Sequence, residues 1–427
     1  MNVLRQLRAL PHGVRVLFVA TLINRSGTMV LPYLALYITQ RLRAGSEAAG
    51  TVMASYGLGA IVAPAIAGRL VDRYGALLVM RTSLVGSGIV IFFYSFAREI
   101  STLVALTFVL SLVAEAFRPA SLALVAGAVP AAQRKTAFAV VRFAINLGMS
   151  IGPALGGLLV AVSFQSLFYI DGATSIAAGL LLTAFRGPGS DQAAPAGGAL
   201  LVGADPDAVA ASSATAAEIP PVGQGTSGST ERAALEAGRA RTFAVFLVAS
   251  FLLALVFFQF ESSLPLFVVR DVHASEAFYG SLITMNAVII IFTEIPLNLK
   301  MDAWPHPRSM ALGTLFCAVG FGVLALGTSI PLVVASVPLW TIGEMIVLPA
   351  TSAFVADLAP TARSGSYLGL SATAFGLGFA LGPYVGIYAL DHYGSAVLWT
   401  GALVVGAVAA GLFASLSQPP ALHRPSG

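Results

Sequence analysis

The strongest constraint on this chain is a succession of twelve apolar segments, each long enough to cross a bilayer. A membrane-spanning helix needs about 20 predominantly apolar residues. The segments form two groups of six, and their predicted bounds are 14–38, 48–70, 77–97, 101–127, 136–162 and 166–185, then 242–268, 278–299, 308–328, 331–357, 364–389 and 394–416. The sequence therefore predicts an all-α membrane protein in which two pseudo-symmetric six-helix bundles supply twelve transmembrane helices.

Composition excludes most other protein classes. Only 10% of the 427 residues are charged, whereas a soluble domain carries about 25%. The single cysteine, Cys317, lies in an apolar stretch, which excludes a disulfide framework and a thiolate metal site. There is no basic run for nucleic acid and no G-x-x-x-x-G-K-[ST] loop for an ATP-driven motor. The histidines all fall in predicted loops or tails, so no metal centre or catalytic triad is indicated, and we expect no enzyme activity.

Residues 187–240 separate the two groups and are rich in Ala, Gly, Ser and Pro. We interpret them as a flexible cytoplasmic linker with a short helix near Glu231–Arg241. The predicted domains are thus an N-terminal bundle at 1–186, this linker, and a C-terminal bundle with a short tail at 241–427. The first apolar run is interpreted as a retained span, since no small-residue cleavage site follows it.

The distribution of basic residues predicts the orientation. Of the 23 Lys and Arg residues, sixteen lie in the tails and loops on the side of the N-terminus, four lie on the other side, and three lie within spans. Basic residues accumulate in cytoplasmic loops. Both termini and the linker are therefore predicted to be cytoplasmic, in a multi-pass protein of a bacterial cell membrane.

The two halves repeat with a constant offset of 230 residues. Pro119 corresponds to Pro349 under this shift. The offset also superimposes a glycine and proline pattern, carrying Gly148, Gly152, Pro153 and Gly156 onto Gly378, Gly382, Pro383 and Gly386. A shift by six spans preserves orientation, so the repeat is parallel, which predicts a substrate site between the halves near the middle of the membrane.

Two local motifs are distinctive. In the fifth span, Gly148, Gly152, Gly156 and Gly157 surround Pro153. Small residues at this spacing let helices approach closely, and proline bends a helix, so we predict a bending element at the interface between the halves, with ordinary small-residue packing as the alternative. The second motif follows span two and contains the residues Gly68, Asp72, Arg73 and Gly75. It is interpreted as a conformational element, with a basic anchoring loop as the alternative.

These motifs resemble those of the major facilitator superfamily. The stretch from Gly148 to Gly157 is similar to the signature of its twelve-span drug:proton antiporters, and Gly68–Gly75 is similar to its G-x-L-x-D-R-x-G loop. The resemblance implies the major facilitator fold, a loop that latches the halves on the cytoplasmic side, and a cavity lined by spans 1, 4, 7 and 10. It also places Arg118 where the family has an arginine involved in proton transfer.

Charges inside the membrane are costly and mark functional sites. Arg25 lies in span 1, Glu115 and Arg118 in span 4, Glu261 in span 7, and Glu344 in span 10. The second half has no base in its spans, so we expect Glu261 and Glu344 to pair across the cavity with Arg25 or Arg118, or to bind protons. For Glu115 and Arg118, mutual neutralisation is an equal alternative.

Other polar and aromatic residues carry weaker signals. We favour a structural role for Asp171 and Glu294, which lie near the ends of their spans. The possible additional lining residues of the cavity are Asn24, Gln259, Asn286, Tyr33 and Phe257, with Phe258, Phe260 and Tyr367 as further aromatic candidates.

The first functional hypothesis is alternating-access, proton-coupled efflux of a lipophilic small molecule or drug. The alternative is a uniporter or proton symporter for a polar or anionic metabolite. A membrane scaffold is less favoured because it gains nothing from costly buried charge. We expect no cofactor, a proton gradient as the energy source, and a monomer in the bilayer whose partners are protons and a small-molecule substrate.

Overall fold

The described residues are exclusively helical in their regular structure. The computed structural model describes residues 10–184, 227–301, 304–360 and 364–417. Its twelve helices of spanning length and composition, numbered as spans 1 to 12, are His12–Arg41, Ser46–Tyr74, Ala76–Tyr94, Ile100–Ala128, Thr136–Val162, Phe164–Ala184, Ala237–Asp271, Glu276–Glu294, His306–Leu326, Ile330–Leu358, Ser366–Tyr393 and Ser395–Ala414. The predicted fold class is confirmed, and the chain is a multi-pass membrane protein.

Several helices extend beyond their spans. The helices of spans 5, 8 and 11 occupy Ala131–Val162, Glu276–Met301 and Ser364–Tyr393. The first helix of span 7 covers Ser227–Phe257, so it starts ten residues before the span itself. The helix predicted near Glu231–Arg241 is present, but it is part of this longer helix, so residues 227–240 continue into span 7 rather than belonging to a flexible linker. Residues 187–226 lie outside the described residues, and the three-domain division stays a prediction.

Three of the four spans predicted to line the cavity are broken near their middle. Span 1 consists of the helices His12–Gly27 and Val30–Leu36. Span 4 consists of Ile100–Ala114 and Phe117–Ala128. Span 10, in contrast, is one helix. Discontinuous helices at mid-membrane depth are a recurring way to build a substrate site, because each break leaves backbone groups available.

Span 7 is broken in the same way. A 3₁₀ turn at Phe258–Phe260 follows its long helix, and a short helix, Ser263–Leu266, follows that turn. Proline accounts for the restarts in all three spans, since the third residues of the second helices are Pro32, Pro119 and Pro265. Proline lacks the N–H donor, and donors in the first turn have no partner within the helix anyway.

The break in span 1 is stabilised from span 6. Asp171 Oδ2 accepts hydrogen bonds from the backbone N–H groups of Met29 and Val30, each at 3.1 Å. Asp171 is 4% exposed, so its carboxylate satisfies two donors that would otherwise be unpaired inside the protein. This geometry supports the structural role favoured for Asp171.

Among the described residues, the apolar core that the two halves share lies on one side of the molecule. We call the face where span 1 begins and span 12 ends the terminal face, and the other the opposite face. One cluster of buried apolar residues unites both halves near the opposite face, with Tyr33 and Tyr279 among its members. Near the terminal face each half has a separate core, one around Phe117 and one around Phe354. The halves are thus joined on the opposite side and have independent cores on the terminal side.

Spans 5 and 8 form one seam between the halves. A Cβ added to Gly157 would lie 2.6 Å from the Cα atom of Ala277, so the helices meet at backbone distance. In the same seam, the Thr284 hydroxyl donates to the carbonyl of Ser150 at 2.8 Å. Spans 2 and 11 form the other seam, where a Cβ on Gly50 would lie 3.0 Å from the Cα atom of Tyr384.

Candidate functional site

Three acidic residues from three spans converge between the halves. Glu115 lies at the break of span 4 and Glu261 at the break of span 7. Glu344 lies at the middle of span 10. Glu261 is close enough to both Glu115 and Glu344 for their charges to interact. The structure therefore brings together the three acids that the sequence places in the cavity.

The three carboxylates differ in their partners. Glu115 accepts a 3.0 Å hydrogen bond from the hydroxyl of Tyr56. Glu344 accepts one from Asn286 Nδ2 at 3.1 Å, and the same amide donates to Thr341 Oγ1 at 3.0 Å. Glu261 forms no hydrogen bond or ion pair with any residue in the described part of the chain. Glu261 is consequently the carboxylate best placed to exchange partners.

The predicted pairing of Arg25 or Arg118 with Glu261 or Glu344 is wrong for this state. The guanidinium of Arg25 packs over the ring of Phe117, 5.4 Å from its centroid, inside the first half. Its Nε is buried without a hydrogen-bond partner among the described residues. Arg118 is exposed and forms no ion pair within the described ranges. Both arginines remain on their own half because the halves have separate cores at this level.

A cation that the sequence analysis did not select does bridge the halves. Arg142 of span 5 forms an ion pair with Glu294 of span 8. Glu344 lines the same small cavity, which has a volume of about 50 Å³. Hydropathy could not reveal that Arg142, Glu294 and Glu344 lie together, because it does not report which way a side chain points around a helix. The ion pair agrees with the structural role favoured for Glu294 and shows that its partner lies in the other half.

An aromatic wall lies beside the acids. The ring of Phe258 packs on Phe379 with centroids 4.2 Å apart, and Tyr56 packs edge-on against Phe379 at 5.5 Å. Phe260 stacks on Trp340 at 5.8 Å. The wall thus joins span 2 of the first half to spans 7, 10 and 11 of the second. Rings of this kind bind apolar groups and, through their faces, cations.

Two aromatic predictions are wrong. Phe257 is only 7% exposed and packs against its helical neighbours Phe258 and Phe260. Tyr33 is fully buried near the opposite face, where its ring meets Tyr279 edge-on. Neither side chain lines the central space, because Tyr33 is enclosed in the apolar cluster near the opposite face and Phe257 is buried against the rings of Phe258 and Phe260.

Two polar predictions are also corrected. Asn24 Nδ2 donates to Ser175 Oγ at 3.1 Å, which ties span 1 to span 6. Gln259 Nε2 donates to the carbonyl of Gly382 at 2.8 Å, which ties span 7 to span 11. Both side-chain amides therefore form hydrogen bonds between helices of one half. Asn286, in contrast, contacts the cluster of acids, since it donates a hydrogen bond to Glu344.

The glycine motif packs mainly within each half, so its predicted place between the halves is largely wrong. A Cβ on Gly152 would lie 3.0 Å from the Arg25 carbonyl oxygen, and one on Gly156 would lie 2.7 Å from the ring of Tyr33. Gly148 likewise faces span 1. Gly157 and the carbonyl of Pro153 instead face the second half, where they meet Ala277 and Gly280. The helix is continuous through Pro153, and its bending stays a prediction.

The second half repeats this packing. A Cβ on Gly382 would lie 3.2 Å from the carbonyl oxygen of Leu255 in span 7. Pro383 follows in an unbroken helix. Spans 5 and 11 thus pack on spans 1 and 7 through corresponding glycines, as the 230-residue repeat predicts.

The motif from Gly68 to Gly75 ends the helix of span 2. Gly75 has φ 84° and ψ 150°, a conformation that favours glycine. Asp72 and Arg73 are exposed and form no ion pair within the described part of the chain. Arg73 lies over the ring of the adjacent Tyr74, 5.2 Å from its centroid. Among the described residues, therefore, the latch implied by the resemblance is not engaged.

The family is established by comparison with known proteins. A model of the Major Facilitator Superfamily matches residues 16–271 and again 246–426. The chain belongs to this superfamily. Membership confirms the resemblance found in the motifs and makes the protein a transporter rather than an enzyme.

Relatives and solved structures agree with this family. The chain is 24% identical to an uncharacterised transporter of this type, YqjV from Bacillus subtilis, over 89% of this chain and 86% of that protein. It is 21% identical to a Na⁺, Li⁺, K⁺/H⁺ antiporter of Planococcus maritimus, covering 84% and 85%. It is 27% identical to the quinolone resistance protein NorA of Staphylococcus aureus over 35% and 38%. A solved transporter of the POT family shares the fold, with a TM-score of 0.75, 14% identity and coverage of 94% and 95%.

Proposed function

We propose that this superfamily transporter exports a lipophilic small molecule in exchange for protons. The observation that carries the proposal is the convergence of Glu115, Glu261 and Glu344 beside an aromatic wall built by both halves. Aromatic faces bind apolar and cationic groups, and carboxylates compensate the charge of a cation. A lipophilic cation is therefore the substrate that this site fits best.

Glu261 and Glu344 carry the proton in this proposal. A buried carboxylate is costly when ionised, so it binds either a proton or a cationic group. Glu261 has no fixed partner in the described residues, which leaves it available to both. Proton and substrate then compete for the same carboxylates, which is the condition for exchange.

Alternating access is supported by the distribution of the cores. The halves share a core near the opposite face and have separate cores near the terminal face. This arrangement corresponds to the conformation that is open toward the terminal face. Rocking of the halves about the central site produces the conformation that is open toward the opposite face. We assign the terminal face to the cytoplasm of a bacterial cell because basic residues are enriched there. We propose a monomer as the working unit, since one chain supplies all the acids.

Distant relatives support both the exchange for protons and the export of a lipophilic molecule. One is named as a cation/H⁺ antiporter and another as a quinolone resistance protein. A second candidate, transport of an anionic metabolite, is favoured by the unpartnered Nε of Arg25 and by the exposed guanidinium of Arg118.

Proton movement in vesicles tests the proposal. Purified protein is reconstituted into vesicles with an acidic interior and a pH-sensitive dye, and either ethidium, a lipophilic cation, or calcein, a polar anion, is added outside. Export in exchange for protons predicts proton release with ethidium and none with calcein. Proton movement that is driven by calcein but not by ethidium supports the second candidate. Ethidium movement without proton movement contradicts the coupling. Empty vesicles are the control.

A further inference from the structure

The ion pair between Arg142 and Glu294 lies between the central site and the terminal face. Arg142 is the twelfth of 32 residues in its helix, which starts at the terminal face. Glu294 is the nineteenth of 26 residues in a helix that runs toward that face. Glu344 is the fifteenth of 29 in the helix of span 10, so it lies closer to the centre. The ion pair thus lies on the side where the halves have separate cores.

Arg142 faces two carboxylates of the other half. It pairs directly with Glu294, and Glu344 lines the same cavity within range of both charges. Among the described residues, charged and polar groups of several helices face Glu344. The cation among them is Arg142 from span 5. The others are Glu261 from span 7, Asn286 and Glu294 from span 8, and Cys317 from span 9.

The charge of Glu344 changes the attraction between the halves at this point. When Glu344 is ionised, the first-half cation Arg142 is attracted by two second-half anions. A proton on Glu344 removes one of these attractions and leaves the pair with Glu294. Because Arg142, Glu294 and Glu344 line one cavity, this change in Coulomb attraction acts on the separation of spans 5, 8 and 10.

We propose that Arg142 is the coupling residue through which ionised Glu344 draws the two halves together on the terminal side. Protonation of Glu344 weakens this attraction and favours opening toward the terminal face. The inference rests on the proposed function, which makes Glu344 a proton-binding group. Arg142 acts through Glu344 and Glu294, and no contact between Arg142 and the substrate is required.

A distance measurement tests this inference without transport. Spin labels are attached at Gln133→Cys and Lys300→Cys, two exposed positions near the terminal ends of spans 5 and 8, after the only cysteine is replaced by Cys317→Ala. Distances are measured by double electron–electron resonance in nanodiscs from acidic to alkaline buffer. We expect the short-distance population to grow as the buffer becomes alkaline, since Glu344 ionises.

Variants isolate the coupling. Glu344→Gln should keep the long-distance population at every pH, and Arg142→Gln should abolish the pH response. Arg142→Lys keeps the charge and should restore the direction of the response. Glu99→Gln, which removes an exposed carboxylate that precedes the helix of span 4, is the matched control and should leave the response unchanged.

The inference and the proposed function fail in different ways. A pH response that persists in both Glu344→Gln and Arg142→Gln overturns the inference even where transport is proton-coupled. A wild-type distance that is independent of pH overturns it as well. Conversely, a response that both variants abolish supports the inference even where the vesicle assay shows no proton coupling.

Discussion

The hydroxyl of Tyr33 donates a 2.6 Å hydrogen bond to the carbonyl of Pro153, the central residue of the glycine-rich stretch in span 5. The same hydroxyl lies 3.3 Å from the carbonyl of Glu276 at the start of span 8. One fully buried side chain of span 1 therefore contacts both helices of a seam between the halves.

Replacement of Tyr33 by phenylalanine tests the energetic weight of this contact. Tyr33→Phe keeps the ring and its contact with Tyr279 but removes the donor. Hydrogen bonds between membrane helices contribute about 0.6 kcal/mol on average and up to about 1.7 kcal/mol. We expect a loss of this order in the free energy of unfolding in detergent. Tyr169→Phe, an exposed tyrosine, is the control; equal stability of the two variants contradicts the prediction.

A side chain at Gly157 should force the opposite face apart. The Cβ of Gly157→Ala would lie 2.6 Å from the Cα atom of Ala277 and 2.7 Å from the Glu276 carbonyl oxygen, so backbone must move. Faster labelling of Ser150→Cys, which is buried in the same span, is expected in a Cys317→Ala background. Gly127→Ala has open space around its Cβ and should label at the parental rate. Unchanged labelling in Gly157→Ala would falsify the close approach.

Loss of the Asp171 carboxylate should destabilise the break in span 1. Asp171→Ala leaves the N–H groups of Met29 and Val30 without their acceptor. Hydrogen bonds to charged groups contribute about 1.5–3 kcal/mol, and we expect a decrease of that order in the free energy of unfolding. Glu99→Ala is the matched control, because Glu99 precedes the helix of span 4 without a side-chain capping bond. A decrease no larger than that of the control argues against this capping role.

The turn between spans 2 and 3 should require glycine. At φ 84° and ψ 150°, a residue with a Cβ is strained by about 1–3 kcal/mol. Gly75→Ala is therefore expected to lower the free energy of unfolding by that amount. Gly45→Ala is compared with it, since Gly45 has φ −62° and open space around its Cβ. The prediction fails when chemical denaturation gives the same stability for both variants.

The sequence was sufficient for the number of spans and their approximate bounds, because hydropathy and length constrain a membrane helix directly. It was also sufficient for the acidic group of Glu115, Glu261 and Glu344, since charge at mid-span is rare. It was not sufficient for contacts that depend on which way a side chain points. Spans that are apolar on every side give no periodic signal for their packed face.

Arg142 and Gln259 illustrate that limit. Arg142 looked like one of three arginines within spans, and only the position of span 8 beside span 5 makes it a partner of Glu294. Gln259 looked like a cavity residue, yet it donates to the carbonyl of Gly382. The breaks in spans 1, 4 and 7 do carry a sequence signal, since a proline stands at the third position of each second helix.

The most direct test of the central claim is proton release driven by ethidium in vesicles that contain wild-type protein or Glu261→Gln. Ethidium is the probe, and Glu99→Gln, a substitution at an exposed carboxylate, is the control. We predict that wild type and control release protons, and that Glu261→Gln moves ethidium down its gradient without proton release, since its amide cannot exchange a proton. Proton release by Glu261→Gln at the wild-type rate would contradict the account.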